Sequence, residues 1–273
     1  MIEITVLNNE SVDKYKKYNP TYIRLFGDSH TLCFVGSSLR NKYLYITYKN
    51  KNFLILNASQ DSVSISGLDK LISKTSYNNI IRNNIDNLKT NYNIFKLGQV
   101  DVEFIYYYKV YKKHETITKK EFYNDIITKY VRFLLTLNVN IIVCGINLPG
   151  LTTDTEIIKY LCYITNISES ELINKDITLQ IKMKDALYFN DMLKNTCSDH
   201  NIIYFDVISE TIKYVDDNIH IKDEFFEGGG IHYKGANGCA ERMLNDTENY
   251  INNEKYKCTY HTFLKKLLDN LPI

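Results

Sequence analysis

From about residue 22 to residue 253 the chain alternates short apolar runs with longer stretches of helical spacing, and this alternation restricts the fold more than any other feature. "YIRLF", "NFLILNA", "VSISG", "YNIFKLG", "NIIVCGINLP" and "NIIYFDV" are short, apolar and rich in Ile and Val, and most stop at Gly, Asn or Pro. Continuous apolar runs of this kind suit strands buried on both faces of a parallel sheet. Between them, "GLDKLISKTSYNNIIRNNIDNL", "KKEFYNDIITKYVRFLLTL", "TDTEIIKYLCYI", "MKDALYFNDMLKNTC" and "GANGCAERMLNDTENYINN" carry helical spacing. Strand and helix in strict turn predict an α/β fold with crossover helices.

The flanks extend this plan. "IEITVL" reads as a further strand, and "KYLYITYKNKNFLILNA" as a hairpin turning at "KNKN" and added to the main sheet. "HTFLKKLLDNL" has the spacing of an amphipathic helix that packs back on the domain. No linker rich in Gly, Pro or Ser divides the chain. Residues 1–273 are therefore expected to form a single domain, with 1–21 as an N-terminal extension and 254–273 as a C-terminal helix packed on it.

Charge narrows the partners. The 33 basic and 32 acidic side chains nearly cancel, which argues against a dedicated nucleic-acid or membrane-surface binder. The runs "KYKK" and "YYKVYKK" mix Lys with Tyr and are expected at the solvated surface. The start of the chain has no cationic segment followed by an apolar one, and no apolar run is long enough to span a bilayer. The six Cys never form Cys-x-x-Cys, so they read as reduced, mostly buried thiols, and the expected location is cytoplasmic. The sequons at Asn57, Asn166 and Asn245 are then incidental.

"LFGDSHT", residues 25–31, follows the first central strand and admits three readings. Asp-x-His could begin a dinuclear metal site, but no Gly-Asn-His or His-x-His follows, and two ligands cannot hold two metals. No metal or other cofactor is expected. An Asp or Ser at a strand-to-helix turn can simply cap the next helix. The third reading makes Ser29 a nucleophile, which needs matching pieces downstream.

Such pieces recur in order. "FGDSHT" resembles the first block of the SGNH/GDSL hydrolases, "SVSISGLDKL" offers Gly67 for the second, "FKLGQVDVEF" offers Gly98 and Asp101 for the third, and "EGGGIHYKGANG" offers His232 for the last. The resemblance covers about residues 22–250. It implies a flavodoxin-like three-layer α/β/α sandwich, with a mostly parallel sheet of about five strands and extra N-terminal strands. It also implies an esterase acting on a small-molecule or glycan ester, such as a carbohydrate O-acetyl group, through an acyl-Ser29 intermediate. In that scheme His232 is the base, and Gly67 and Gly98 lie at the oxyanion and substrate side. Asp28 and Asp101 brace the loops through backbone hydrogen bonds.

Two positions depart from the family pattern. Val100 stands where the family has its oxyanion Asn, and Gly229 where it has the acidic residue before the His. Gln99 is the nearest amide, and Glu227, ahead of Asp223, is the nearest carboxylate for His232. Gly228, Gly229 and Gly230 would let Glu227 fold back. Two alternatives follow from the departures and the fold: a degenerate, weak or inactive domain that binds a glycan or protein, and an O-acyltransferase. His30 is expected to start the next helix, and His114, His200, His220 and His261 to lie at the surface.

Overall fold

The fold is that of a computed structural model. It describes residues 2–8, 11–35, 43–68, 75–173, 175–225 and 254–272, with the backbone alone at 32 and 254–261. Seven strands form its main sheet: β1 (Ile2–Leu7), β2 (Thr21–Gly27), β3 (Tyr43–Tyr48), β4 (Lys51–Asn57), β5 (Tyr92–Lys96), β6 (Ile141–Cys144) and β7 (Ile203–Phe205). Their order is β1-β3-β4-β2-β5-β6-β7. The five strands from β4 to β7 run parallel, while β3 pairs antiparallel with both β4 and β1.

Numbered along the chain, the parallel strands have the order 2-1-3-4-5. That is the flavodoxin-like arrangement, whose switch point lies between its first and third strands, here β2 and β5. The antiparallel pair is the expected N-terminal addition. Its hairpin turns at Lys49 and Asn50, both with positive φ (49° and 61°), which suits a tight two-residue connection.

Helices cover both sides of the sheet. After a short α1 (Val12–Tyr15), α2 (Leu32–Val35) packs against the last helix, α9 (Glu254–Asp269). There Phe34 meets Phe205 and Phe263, with ring centroids 5.9 Å apart in each pair. In the second group α5 (Lys119–Leu135) packs on α3 (Ile65–Leu68), which also meets α4 (Tyr77–Asn87), and on α8 (Leu179–Asp199). Phe122, Ile126, Tyr130 and Leu134 lie on the buried stripe of α5, the spacing that puts one face of a helix on the core. Thr118 and Glu121 start this helix as a reciprocal capping box. Between β6 and α8 lie α6 (Asp154–Thr165) and α7 (Glu169–Leu172). A two-stranded hairpin, β8 (Ile212–Val215) with β9 (Asn218–Ile221), follows β7.

Two expectations change. "VSISG" is not a strand, because its last three residues turn into α3, where the Asp101 carboxylate takes the backbone N–H groups of Ile65 and Ser66. Nor is "YYKVYKK" wholly solvated. All of it but Lys113 lies in a wide helix over residues 99–112 with two π-type segments, and Tyr107 is buried against Tyr106, whose ring meets Phe122 and Tyr123. Lys112 and Lys113 remain exposed, so side chains within one run split between core and water. The β8–β9 hairpin was not foreseen. The helical pattern at 235–253 lies outside the described residues.

Candidate active site

Gly27 ends β2 where the chain must pass unusually close to β5. A Cβ there would lie 2.2 Å from the Lys96 carbonyl oxygen and 2.4 Å from Thr31 Cγ2, so no larger residue fits without displacing backbone. Its N–H donates to Tyr77 Oη at 2.8 Å, and its carbonyl accepts from the Gln60 N–H at 2.9 Å. The strand end is thereby held from two sides.

Asp28 then folds the chain into a one-turn 3-10 helix, Ser29–Thr31. Its Oδ1 accepts from the His30 N–H at 2.8 Å, and its carbonyl accepts from Thr31 Oγ1 at 2.8 Å and the Thr31 N–H at 3.1 Å. The capping reading of this stretch therefore belongs to Asp28. Asp28, His30 and Thr31 are buried, while Ser29 between them is only half-buried. Ser29 follows directly on β2, at the C-terminal edge of the parallel strands, beside the switch point.

The base of this turn is charged. His30 Nδ1 lies 3.2 Å from Asp28 Oδ1, with both side chains buried. Burial pushes the Asp28 carboxyl up, but the His30 imidazole and N–H, helped by the Lys96 ammonium, outweigh it and hold the group below its ordinary range. Lys96, at the end of β5, is itself fully buried and donates to the Gly145 carbonyl at 2.7 Å.

Across the switch point, β5 leads into Gly98, Gln99, Val100 and Asp101. Gly98 has φ of 117°, and a Cβ on it would meet the Phe189 ring at 2.7 Å. Gln99 is buried with its carboxamide engaged. Nε2 donates to Glu103 Oε1 (2.5 Å) and to the Asn147 carbonyl (3.1 Å), and Oε1 accepts from the Asn147 N–H (2.8 Å). Gln99 thus ties the turn after β5 to the loop after β6. Val100 is half-buried and offers no side-chain donor.

Asp101 is buried and accepts three hydrogen bonds, from Ile65 N–H at 2.7 Å, Ser66 N–H at 3.0 Å and Ser66 Oγ at 2.6 Å. Burial raises its carboxyl to about 6, against the pull of those donors. It braces the segment that carries Gly67. The Gly67 N–H is shared between Ser64 Oγ at 3.1 Å and the Ser64 carbonyl at 3.2 Å. Asp28 also raises Asp101, so the two carboxylates lie within each other's field across the switch point.

The fold thus gathers Ser29, Asp28, Gly98, Gln99, Asp101 and the Gly67 segment around the ends of neighbouring strands. Glu227 and His232, with Gly228, Gly229 and Gly230, lie outside the described residues. Asp223 lies within them, exposed and 2.7 Å from Lys213 Nζ. Among the described residues no group of three or more His, Cys, Asp or Glu could hold a metal ion, and no helix is long and apolar enough to cross a membrane.

Sequence reasoning missed the Asp28–His30 pair and Lys96. The first was visible as Asp-x-His in a strand-end turn. The second was visible as a lone Lys inside the apolar run "YNIFKLG".

No family model matches the sequence, and no curated protein matches it. Solved structures do resemble the fold. A GDSL-like lipase from Bacteroides thetaiotaomicron is 9% identical over 94% of this chain and 91% of its own, with a TM-score of 0.48. Est24, a carbohydrate acetylesterase from Sinorhizobium meliloti, is 12% identical over 92% of this chain and 100% of its own, with a TM-score of 0.49. An aryl esterase from M. smegmatis gives the same four values. At these identities the likeness concerns the course of the chain.

Proposed function

We propose that the protein is a serine esterase that cleaves a small acyl ester, with carbohydrate O-acetyl groups as the substrate class, through an acyl-Ser29 intermediate. The observation that carries this reading is the exposure pattern at the end of β2. Ser29 alone reaches the surface of a turn whose neighbours, Asp28, His30 and Thr31, are all buried.

A Ser hydroxyl is a weak nucleophile until a base takes its proton. His232 is assigned that task, and Glu227 the task of orienting the imidazole and balancing its charge. Ser29 Oγ attacks the acyl carbon as His232 takes the proton. His232 then returns it to the departing alcohol, and water cleaves the acyl-enzyme by the same route in reverse. The tetrahedral oxyanion needs donors aimed at it. Gly67 is the assigned source, since the bonds of its N–H to Ser64 are long and one ends on a rotatable hydroxyl. Gly98 is assigned to the substrate side, where its missing side chain lets the turn after β5 pass close to the Phe189 ring. An O-acyltransferase would differ only in the acceptor of the acyl group.

A second reading is a binding module for a glycan or protein that does no chemistry. It is favoured by Val100, which brings no donor, and by the Gln99 carboxamide, which is engaged with Glu103 and Asn147. Labelling with a fluorophosphonate separates the two. The esterase reading expects one covalent adduct per chain, located on Ser29 by peptide mass and lost in Ser29→Ala. A folded protein that takes no label would favour the binding module.

A further inference from the structure

β5 carries a charge where its pattern calls for an apolar residue. Tyr92, Asn93, Ile94, Phe95 and Lys96 are all buried, and Lys96 is only 1% exposed. Lys96 is the cross-strand partner of Gly27, so its backbone stands beside the start of the Ser29 turn. Among the described residues its ammonium has one hydrogen bond, to the carbonyl of Gly145 just past β6. Lysine is rarely buried to this degree unless a charge elsewhere rewards it.

Asp28, on the turn that follows the cross-strand partner of Lys96, carries a buried charge of the opposite sign. It is fully buried, its Oδ1 is bonded to His30, and its Oδ2 has no hydrogen-bond partner among the described residues. Lys96 is not in direct ionic contact with it but acts on it through space, in a region where the field is weakly screened. Among the described residues, the other titratable groups in reach of Asp28 or Lys96 are His30 on the same turn, Asp101 after β5, Cys33 in α2, Cys144 in β6 and Tyr130 in α5. Asp101 opposes Asp28, and His30 brings charge only when protonated. Lys96 is therefore the permanent cation among these groups that acts on the carboxylate.

We propose that Lys96 is a positioning residue for Ser29: a buried ammonium, tethered to Gly145, that balances the Asp28 carboxylate and so holds the turn that carries the nucleophile. The role assigned to Ser29 rests on the esterase reading above, while the balance between Lys96 and Asp28 does not.

The test uses the full chain as wild type, Lys96→Met, Lys96→Arg, Asp28→Asn and the double variant Asp28→Asn/Lys96→Met. Carbon-detected NMR follows the Asp28 carboxyl with pH, and its midpoint should move upward in Lys96→Met and stay low in Lys96→Arg. An unchanged midpoint in folded Lys96→Met would overturn the proposal. If Lys96→Met does not fold, the double variant should recover folding, because it removes the stranded carboxylate as well. Failure to recover, with Asp28→Asn alone folded, would count equally against it. The rate of fluorophosphonate attachment should fall about tenfold or more in Lys96→Met, with partial rescue in Lys96→Arg. Equal rates with a shifted midpoint would refute the positioning of Ser29. Absence of label in wild type would defeat the esterase reading, and with it the role given to Ser29, and leave the carboxyl titration to decide the charge balance.

Discussion

Asp101 and Ser66 are joined twice, the backbone N–H at 3.0 Å and the hydroxyl at 2.6 Å both donating to Asp101 Oδ1. With the Ile65 N–H on Oδ2, one side chain after β5 holds the start of α3 and the segment containing Gly67.

Asp101→Asn keeps the shape but loses acceptor capacity, and should cost about 1–3 kcal/mol in urea denaturation. The pH dependence has a definite sign. Burial raises the native carboxyl to about 6, above its ordinary 3.8, so the folded state holds the proton more tightly than the unfolded one. Its contribution is full below about 4 and is lost as pH rises through about 6. The stability difference between wild type and Asp101→Asn should therefore shrink across that window. The amide resonances of Ile65 and Ser66 should titrate with a midpoint near 6 in wild type only.

Gly98→Ala combines a φ of 117° with a Cβ 2.7 Å from the Phe189 ring. A loss of about 2 kcal/mol or more is expected, measurable as a lower urea midpoint with an unchanged slope. A neutral result would mean that this turn adopts another backbone path in solution.

Gln99→Leu removes both bonds to Asn147 and the one to Glu103. The stranded Asn147 N–H and Glu103 carboxylate should cost about 1–3 kcal/mol. Because the carboxamide bridges two loops, the rate of Ser29 labelling measured well below the melting transition should change far less than stability does. A loss of label of about 10²-fold or more would instead make Gln99 an oxyanion donor.

Lys182 gives a prediction at alkaline pH. It is buried, bonded to the Glu103 carbonyl at 2.7 Å and stacked 4.3 Å from the centre of the Tyr107 ring. Burial lowers its ammonium to about 8, below the ordinary 10.5. Between those values the unfolded chain keeps a proton that the native state has released, so stability rises with pH relative to a variant without the amine. Thermal melts of wild type and Lys182→Met from pH 7 to 10 should show wild type gaining on the variant.

The parallel strands were legible because each is a continuous apolar run, and "KYLYITYKNKNFLILNA" showed its hairpin through the polar turn at its centre. The segment around Gly67 was not, because Val63, Ile65 and the Ser residues between them imitate a strand, and the carboxylate that turns them into α3 lies at Asp101, far along the chain. The place of Ser29 at the end of β2 and the backbone bonds of Asp28 and Asp101 were legible from short motifs at the strand ends. The engagement of Gln99 was not, because its partner Asn147 is distant in sequence and nothing local marks it. Lys96 was passed over for a related reason. One Lys in an apolar run says nothing of which charge it answers until β2 and β5 are laid side by side.

The Phe34 ring contacts carry a consequence for biosynthesis. Phe34 lies in the helix directly after the Ser29 turn, yet it rests on Phe205 and Phe263, which leave the ribosome long after it. The β3–β4 hairpin can form as soon as it emerges, whereas the turn bearing the candidate nucleophile must wait for α9 before its cover closes. A nascent chain would then hold much of its sheet well before the cover behind the Ser29 turn closes, and a chain halted before α9 would have that turn without the helix that packs on α2.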